Sequence, residues 1–435
     1  MLYYRKEDRR VEQMKVKAIW KKVQKGFDKI RTCMIPVSEG MYYFMLVLLT
    51  AYYTMILTNI NFSWEYLEQE EFMAALFLVK CFLLEPQYIL LVIIVLRHLF
   101  SESYDWKELL AMLVVVRCAF YAYEQIQYVE WLIMLLLMLG AKGSSFRKVV
   151  KIHFLTRLAI FVCVIVATQI GLIDNLVYQI RTERMAFGFV YPTEFAAYIF
   201  FLILWYWYLR GEKWTYAECF LPLIGSIFVK VFCDARTSSY LMALLFAVMI
   251  YHTWRCKHAE RMETKYQMNQ GFSYLLAGSV FLCAILTMIL SILYTSESAV
   301  FVKLDQILSS RLSLSKKGMD IFGFHLWGTW IQLRGNGGYI NGNQVYFFID
   351  SVFMQLAIQY GAVMMSVVLA LFWWIGVQAR KHRQWILLWI MGFIAVHGIA
   401  EPNVLKVAYN PMILAAFAVT DQNNGLRLRR RWKKK

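Results

Sequence analysis

Arg210-Gly-Glu-Lys-Trp-Thr-Tyr-Ala-Glu-Cys-Phe-Leu-Pro-Leu-Ile-Gly-Ser-Ile-Phe-Val-Lys-Val-Phe-Cys-Asp-Ala-Arg236 is the stretch that decides the fold. A short basic connection, Arg210–Lys213, leads into an apolar run at 214–232. A tight turn at 233–236 reverses into a second apolar run at 237–252, which ends on another basic connection, Arg255–Lys265. About twenty mostly apolar residues cross a bilayer as a helix, and short Lys/Arg-rich connections mark its cytoplasmic side. The unit reads as two antiparallel spans, with basic flanks inside and the turn outside.

Working outward, further apolar runs lie near 41–58, 72–97, 109–125, 128–140, 152–171, 190–209, 271–294, 353–378, 385–400 and 404–420, about twelve helices in all. Placing Lys142–Lys151, Arg210–Lys213, Arg255–Lys265, Arg380–Arg383 and both basic ends on one side requires an even number of spans between successive members. The twelve runs meet that requirement at every step. The expected architecture is an all-α polytopic membrane protein. It has a basic cytoplasmic arm over 1–40, a transmembrane domain over 41–420 and a basic cytoplasmic tail over 421–435. The segments left outside are 59–71, 172–189, 233–236, 295–352 and the turn around 397–406. The long loop 295–352 carries Ile321, Phe322, Phe324, Leu326, Trp327 and Trp330, so short helices capping a cavity are expected there.

Composition agrees: 60% of the residues are hydrophobic and 17% aromatic, above the 45–50% apolar content usual for soluble domains. The net charge of +17 resides largely in the two ends. Beside membrane spans such ends touch anionic lipid rather than nucleic acid. No apolar core follows within the first thirty residues, so no cleavable signal peptide is read. The eight cysteines fall mostly inside apolar runs without CxxC or Cys/His spacing, which suggests neither a disulfide framework nor a metal site.

Charges on the outer face run against the pattern. A cation in or near the apolar slab costs about 2.5–3.5 kcal/mol even on the lenient insertion scale, so it has a partner. Arg181, Arg184, Arg236 and Arg311 are the cases. Arg236 reads either as a salt bridge to Asp234 or lipid phosphate, or as a bidentate ligand of pyrophosphate. Pro192 and Glu194 read as a helix start. Asp350 reads as the N-cap of the helix that follows, or as a general base beneath a cavity. His397 and Glu401 lie one helical turn apart; they hydrogen-bond to each other or contact substrate. No HExxH, GxSxG or DxD-like arrangement implies metal or cofactor chemistry. His153 and His252 read as flanks at cytoplasmic span ends.

These landmarks resemble, over roughly 140–420, the bacterial O-antigen and capsule repeat-unit polymerases (Wzy-type) within the O-antigen ligase superfamily. The resemblance is carried by Gly140-Ala-Lys-Gly143, Arg184…Gly188-Phe-Val-Tyr-Pro192-Thr, Ala235-Arg236-Thr237, Ser310-Arg311-Leu312 and Leu326-Trp-Gly328. Asp350-Ser351 with Gly361 after nine further residues, and Glu401 before Asn410-Pro411, complete it. Ligases carry a His-Asn or similar pair where this chain has Asp350-Ser351. The resemblance implies a GT-C-like glycosyltransferase in the bacterial cytoplasmic membrane, with its active site extracytoplasmic. It would join undecaprenyl-pyrophosphate-linked oligosaccharide repeat units without a metal or other cofactor. Arg181, Arg184, Arg236 and Arg311 would bind pyrophosphate, Asp350 would be the base, and His397 and Glu401 would contact sugar or acceptor. Membrane lipids and a chain-length regulator would be partners. Transfer to another acceptor, as in a ligase, and a lipid-linked oligosaccharide flippase are the alternative functions. Flippases are usually built from internal repeats, and no self-similarity between the halves is evident.

Overall fold

The computed structural model describes residues 36–59, 86–100, 106–126, 129–179, 182–335 and 347–420. Residues 1–35 of the expected basic arm, the expected tail, most of the expected span at 72–97, nearly all of the loop at 59–71 and Arg181 lie outside the described residues.

The described chain is a bundle of helices. In order they are α1 over 36–56, α2 Pro86–Phe100, α3 Trp106–Ile126, α4 Val129–Gly140, α5 Phe146–Gln169, α6 Pro192–Arg210, α7 Tyr216–Cys233 and α8 Arg236–Arg261. Then follow α9 Gln270–Ala277, α10 Ser279–Leu293, α11 Ala299–Ile307 and α12 Arg311–Phe322. Two more close the series, α13 Val352–Lys381 and α14 Trp385–Ala400. Segment 172–189 departs from the all-helical expectation: β1 Val177–Gln179 pairs antiparallel with β2 Glu183–Met185, with Tyr178 opposite Arg184. The long loop does form short helices, α11 and α12.

Among the described residues, α5, α7 and α13 are long and apolar enough to cross a membrane. The pair α9 and α10, bent by 60° about Gly278, makes a fourth if counted as one span. α5 and α7 turn most of their surface outward, whereas α13 is half-buried. On α7, Phe220, Ile224, Ile227 and Val231 form one exposed stripe at helical spacing, and Phe281, Ile285, Ile289 and Ile292 do the same on α10. Such faces invite aggregation in water and match hydrocarbon in a bilayer. The run expected at 128–140 is different. α4 has 12 residues, about 18 Å, and every residue from Leu132 to Gly140 is buried. It is a helix enclosed by the bundle.

The run at 404–420 is the main correction: it is apolar but not one helix. Two 3-10 turns, Pro402–Leu405 and Met412–Ala416, flank irregular backbone. Pro402 and Pro411 lack an N–H, and Asn403 and Asn410 favour local side-chain bonds, so a continuous ladder cannot form. The segment nonetheless traverses the bundle. Glu401 meets Arg311 at one end, and Val419 donates to the Ser144 carbonyl at the other, 2.8 Å. Irregular backbone at depth is tolerated when protein satisfies its polar groups, and buried side chains supply this. Glu130 accepts the Val407 N–H at 3.0 Å. His153 Nε2 donates to Val407 O at 2.8 Å, and Arg157 donates to Tyr409 O at 2.9 Å. Asn410 Nδ2 donates to Val404 O at 2.7 Å. His153 is thus a wholly buried ligand of this crossing rather than a flank residue.

A second device joins the long loop to α13. The helix is interrupted by a π turn at Leu356–Tyr360 and by Gly361 at φ +84°. The backbone groups released there bond to the loop: Thr329 N–H donates to Gln359 O (3.0 Å), Ala362 N–H to His325 O (3.0 Å) and Val363 N–H to Leu326 O (3.1 Å). Gly328, also at φ +84°, faces Gly361. A Cβ on either would lie 2.2 Å from the other strand's backbone, so only glycine allows this approach.

Side-chain bonds also sort the connections. Arg147 donates to the Leu209 and Tyr208 carbonyls, Gln384 Nε2 to Thr420 O, and Trp385 Nε1 to Tyr266 O. With the Ser144–Val419 bond, these gather the connections after α4, α6, α8 and α13 at one end of the bundle. The turn at 233–236, the start of α13 and the end of α14 meet at the opposite end.

Candidate functional site

That opposite end holds a cavity of about 290 Å³, with Arg184, Arg236, Arg311, Glu194, Asp234, Asp350 and Glu401 on its wall. Residues far apart in the chain therefore converge: the hairpin gives Arg184, the α7–α8 turn gives Asp234 and Arg236, and the long loop gives Arg311 and Asp350.

Strand alternation on β2 turns Arg184 toward the end of α7. Its Nε donates to Cys233 O at 2.8 Å, and its guanidinium lies 5.4 Å from the Tyr191 ring centroid. Asp234 terminates α7 in the left-handed conformation, φ 42°, a short polar residue's usual way of closing a helix. It pairs with Lys230 at 2.5 Å. Burial pushes the Asp234 carboxyl up, but the Lys230 hydrogen bond and charge, with Arg236 and Arg184 nearby, hold it below the usual range. The expected Arg236–Asp234 bridge is not formed. Among the described residues Arg236 makes no ion pair or side-chain hydrogen bond, although it is half-buried. It is the first residue of the 26-residue α8, whose N-cap, Ala235, offers no side-chain acceptor. The cavity is therefore flanked by an unpaired guanidinium and by the open N–H groups of a helix start, a natural anion site.

Arg311 is placed by strain and a cap. Ser309 and Ser310 both have positive φ, 56° and 67°, unusual for residues with a Cβ. Asp305 accepts from the Leu312 and Ser313 N–H groups at 2.9 and 3.1 Å, which fixes the start of α12. Arg311 then donates to Ser309 O (2.9 Å) and Ala400 O (3.2 Å), and its Nη2 lies 3.4 Å from Glu401 Oε1. Its Nε is 3.7 Å from Asp350 Oδ2. Unlike Arg236, its charge is shared by two carboxylates. Burial raises the Glu401 carboxyl well above its usual range; Asp350 and Glu194 add to this, against the pull of Arg311 and Lys406. Glu401 therefore holds a proton more readily than an ordinary carboxyl, beside Asp350.

Two sequence readings change here. The N-cap of α13 is Ser351, not Asp350; Ser351 Oγ instead donates to Gly398 O at 3.2 Å. Asp350 sits one residue too early to cap and lies on the cavity wall. His397 is not on that wall. It is wholly buried, stacked on Phe200 with ring centroids 5.1 Å apart at 7° and edge-on to Phe201. Its link to Glu401 is the backbone bond Glu401 N–H to His397 O, and both ring nitrogens lack a partner among the described residues.

Glu194, read from sequence as part of a helix start, is one and more. Pro192 does occupy the first helical turn, but the Glu194 carboxylate also accepts a short hydrogen bond from the Tyr409 hydroxyl and pairs with Lys406 at 3.5 Å. Lys406 and Tyr409 belong to the irregular crossing and carried no local signal in the sequence. Three arginines and four carboxylates line the cavity, so it is not a simple cationic bowl. Among the described residues neither Arg184 nor Arg236 forms an ion pair, and of the three arginines only Arg236 also lacks a side-chain hydrogen bond. Among the described residues no group of three or more His, Cys, Asp or Glu side chains is arranged to hold a metal ion.

Fold and site together define a class: a mostly helical protein with helices long and apolar enough to cross a membrane and a charge-lined cavity at one end of the bundle. No family model, no curated protein and no solved structure matches the chain.

Proposed function

We propose that the chain is a twelve-span, GT-C-like polymerase of undecaprenyl-pyrophosphate-linked oligosaccharide repeat units, with the cavity as its active site on the outer face of a bacterial cytoplasmic membrane. The observation that carries this reading is the half-buried, unpaired Arg236 at an uncapped helix start, beside Arg184, in one cavity with a paired set of carboxylates. In this reading the irregular crossing at 404–420 serves as the twelfth span, which retains the even count that the basic connections call for.

In this mechanism Arg236, Arg184 and the first N–H groups of α8 hold the pyrophosphate of the donor. They stabilise the charge that builds on it as leaving group. Asp350 accepts the proton of the acceptor hydroxyl. That oxygen bonds to the anomeric carbon of the donor's reducing-end sugar as the bond from this carbon to the pyrophosphate oxygen breaks, and undecaprenyl pyrophosphate departs. Arg311 holds Asp350 and Glu401 together. It is a positioning residue first, and Glu401 retains the proton that lets the two carboxyl groups share one cation.

The test is elongation by purified variants. Arg236→Ala and Asp350→Asn each abolish chain growth while membrane insertion is retained, and in Arg236→Ala thermal stability also stays near the parent's. Full activity in Asp350→Asn would remove the proposed base.

A further inference from the structure

A second cavity, of about 220 Å³, adjoins the first; Phe348 and Pro402 belong to both walls. Its other walls are of a different kind. Trp131 and Tyr360 bring their rings to 4.5 Å between centroids at 46°, and Glu130, Gln359 and Lys406 supply polar groups. Lys406 is the hinge between the two spaces, because it also pairs with Glu194 of the first cavity at 3.5 Å.

Gln359 is the telling residue. It is 1% exposed, and its Nε2 has no hydrogen-bond partner among the described residues. Leaving a buried amide N–H2 unmade costs about 1–3 kcal/mol, yet the backbone is built to hold it there. Gln359 lies in the π turn, a feature that recurs at functional sites, and its carbonyl is fixed by the Thr329 N–H where Gly328 and Gly361 meet. The charged groups on its wall are one carboxyl, Glu130, and one ammonium, Lys406, which Glu194 already shares, so this space does not call for a second anion. Apolar ring faces with an amide donor, a carboxyl and an already shared ammonium suit a neutral polyhydroxyl ring. At about 30 Å³ per water the space is on the scale of a single sugar ring.

We infer that this second cavity is a monosaccharide subsite, which takes one sugar ring of the pyrophosphate-linked substrate: Trp131 and Tyr360 flank its C–H face, and Gln359 donates to a ring hydroxyl. The inference deepens the proposed function and rests on its reading of the first cavity as the pyrophosphate site.

The experiment titrates the detergent-solubilised full chain with bare polyprenyl pyrophosphate. Parallel titrations use the same lipid bearing one glucose, galactose, N-acetylglucosamine or N-acetylgalactosamine. At least one sugar should tighten binding about tenfold, the worth of one well-made hydrogen bond and a ring contact. Gln359→Leu and Trp131→Ala should each erase that gain while binding of the bare lipid stays at the parent's level. Arg236→Ala should weaken binding of every probe. A sugar-dependent gain that survives both variants, or no gain with any of the four, overturns the subsite. If the bare lipid does not bind but a sugar-bearing one binds through Gln359 and Trp131, the pyrophosphate reading falls and the subsite stands. If no probe binds, both fall.

Discussion

Arg311→Met and Arg236→Met should separate two arginines that look alike in the sequence. In the structure Arg311 stands between two carboxylates, 3.7 Å from Asp350 and 3.4 Å from Glu401, and donates to two backbone carbonyls. Removing its charge takes a shared cation away from two partly buried carboxyl groups. Breaking such a buried arrangement by deleting one partner costs about 3–5 kcal/mol. That figure applies while both carboxyls are ionised. As pH falls, Glu401 takes up a proton readily, since burial already raises it, and the loss should shrink toward about 1–3 kcal/mol, the value of the remaining hydrogen bonds. Arg236 has no such partners, so Arg236→Met should cost no more than about 0.5 kcal/mol, as at a surface position. The assay is thermal unfolding of both variants in one detergent, followed by tryptophan fluorescence at acidic and alkaline pH. Equal losses in the two variants would refute the assignment of Arg311 as a bridge and Arg236 as the open ligand site. So would an Arg311→Met loss that does not change with pH.

Three further outcomes follow from the same geometry. Glu401→Gln should flatten a pH dependence: a raised folded-state carboxyl keeps its proton after the unfolded chain has lost it, so parent stability falls as pH rises above the ordinary carboxylate value toward the raised one. A melting-temperature series across that range should slope downward in the parent and much less in the variant. Arg157→Met should lower stability by about 2–4 kcal/mol, because the carbonyls of Tyr409 and Tyr198 lose donors at 2.9 and 3.2 Å in a wholly buried setting; limited proteolysis should then open the chain between 401 and 419. Gly361→Ala should cost about 2–4 kcal/mol or prevent accumulation of folded protein, since its Cβ would lie 2.2 Å from Gly328 N at a positive φ; expression with size-exclusion chromatography reads this directly.

The parts legible in the sequence were those set by local composition. Apolar length marked α5, α7 and α13, and charge marked the connections that the structure gathers at one end. The glycines and arginines singled out from short motifs do converge, Arg184, Arg236 and Arg311 on one cavity and Gly328 on Gly361. What escaped depends on distant partners. The run at 404–420 has the hydropathy of a span, but its backbone is held by His153 and Arg157, about 250 residues away in the chain. Arg311 has the same local appearance as Arg236, and only the fold supplies its two carboxylates. Asp350 precedes a helix as a cap does, yet the cap is Ser351, one residue on. His397 fits the spacing of a polar pair with Glu401, whereas packing turns it into the Phe200 and Phe201 core.

Sugar transfer from a lipid pyrophosphate is the reaction proposed for this cavity. Its most direct measurement is the product of purified protein given lipid-linked repeat units, with no nucleotide sugar and no added divalent metal. A ladder of lengthening lipid-linked chains, lost in Arg236→Ala, is the predicted result. Passage of repeat units across a bilayer without elongation, or growth only when a nucleotide sugar is supplied, would contradict it.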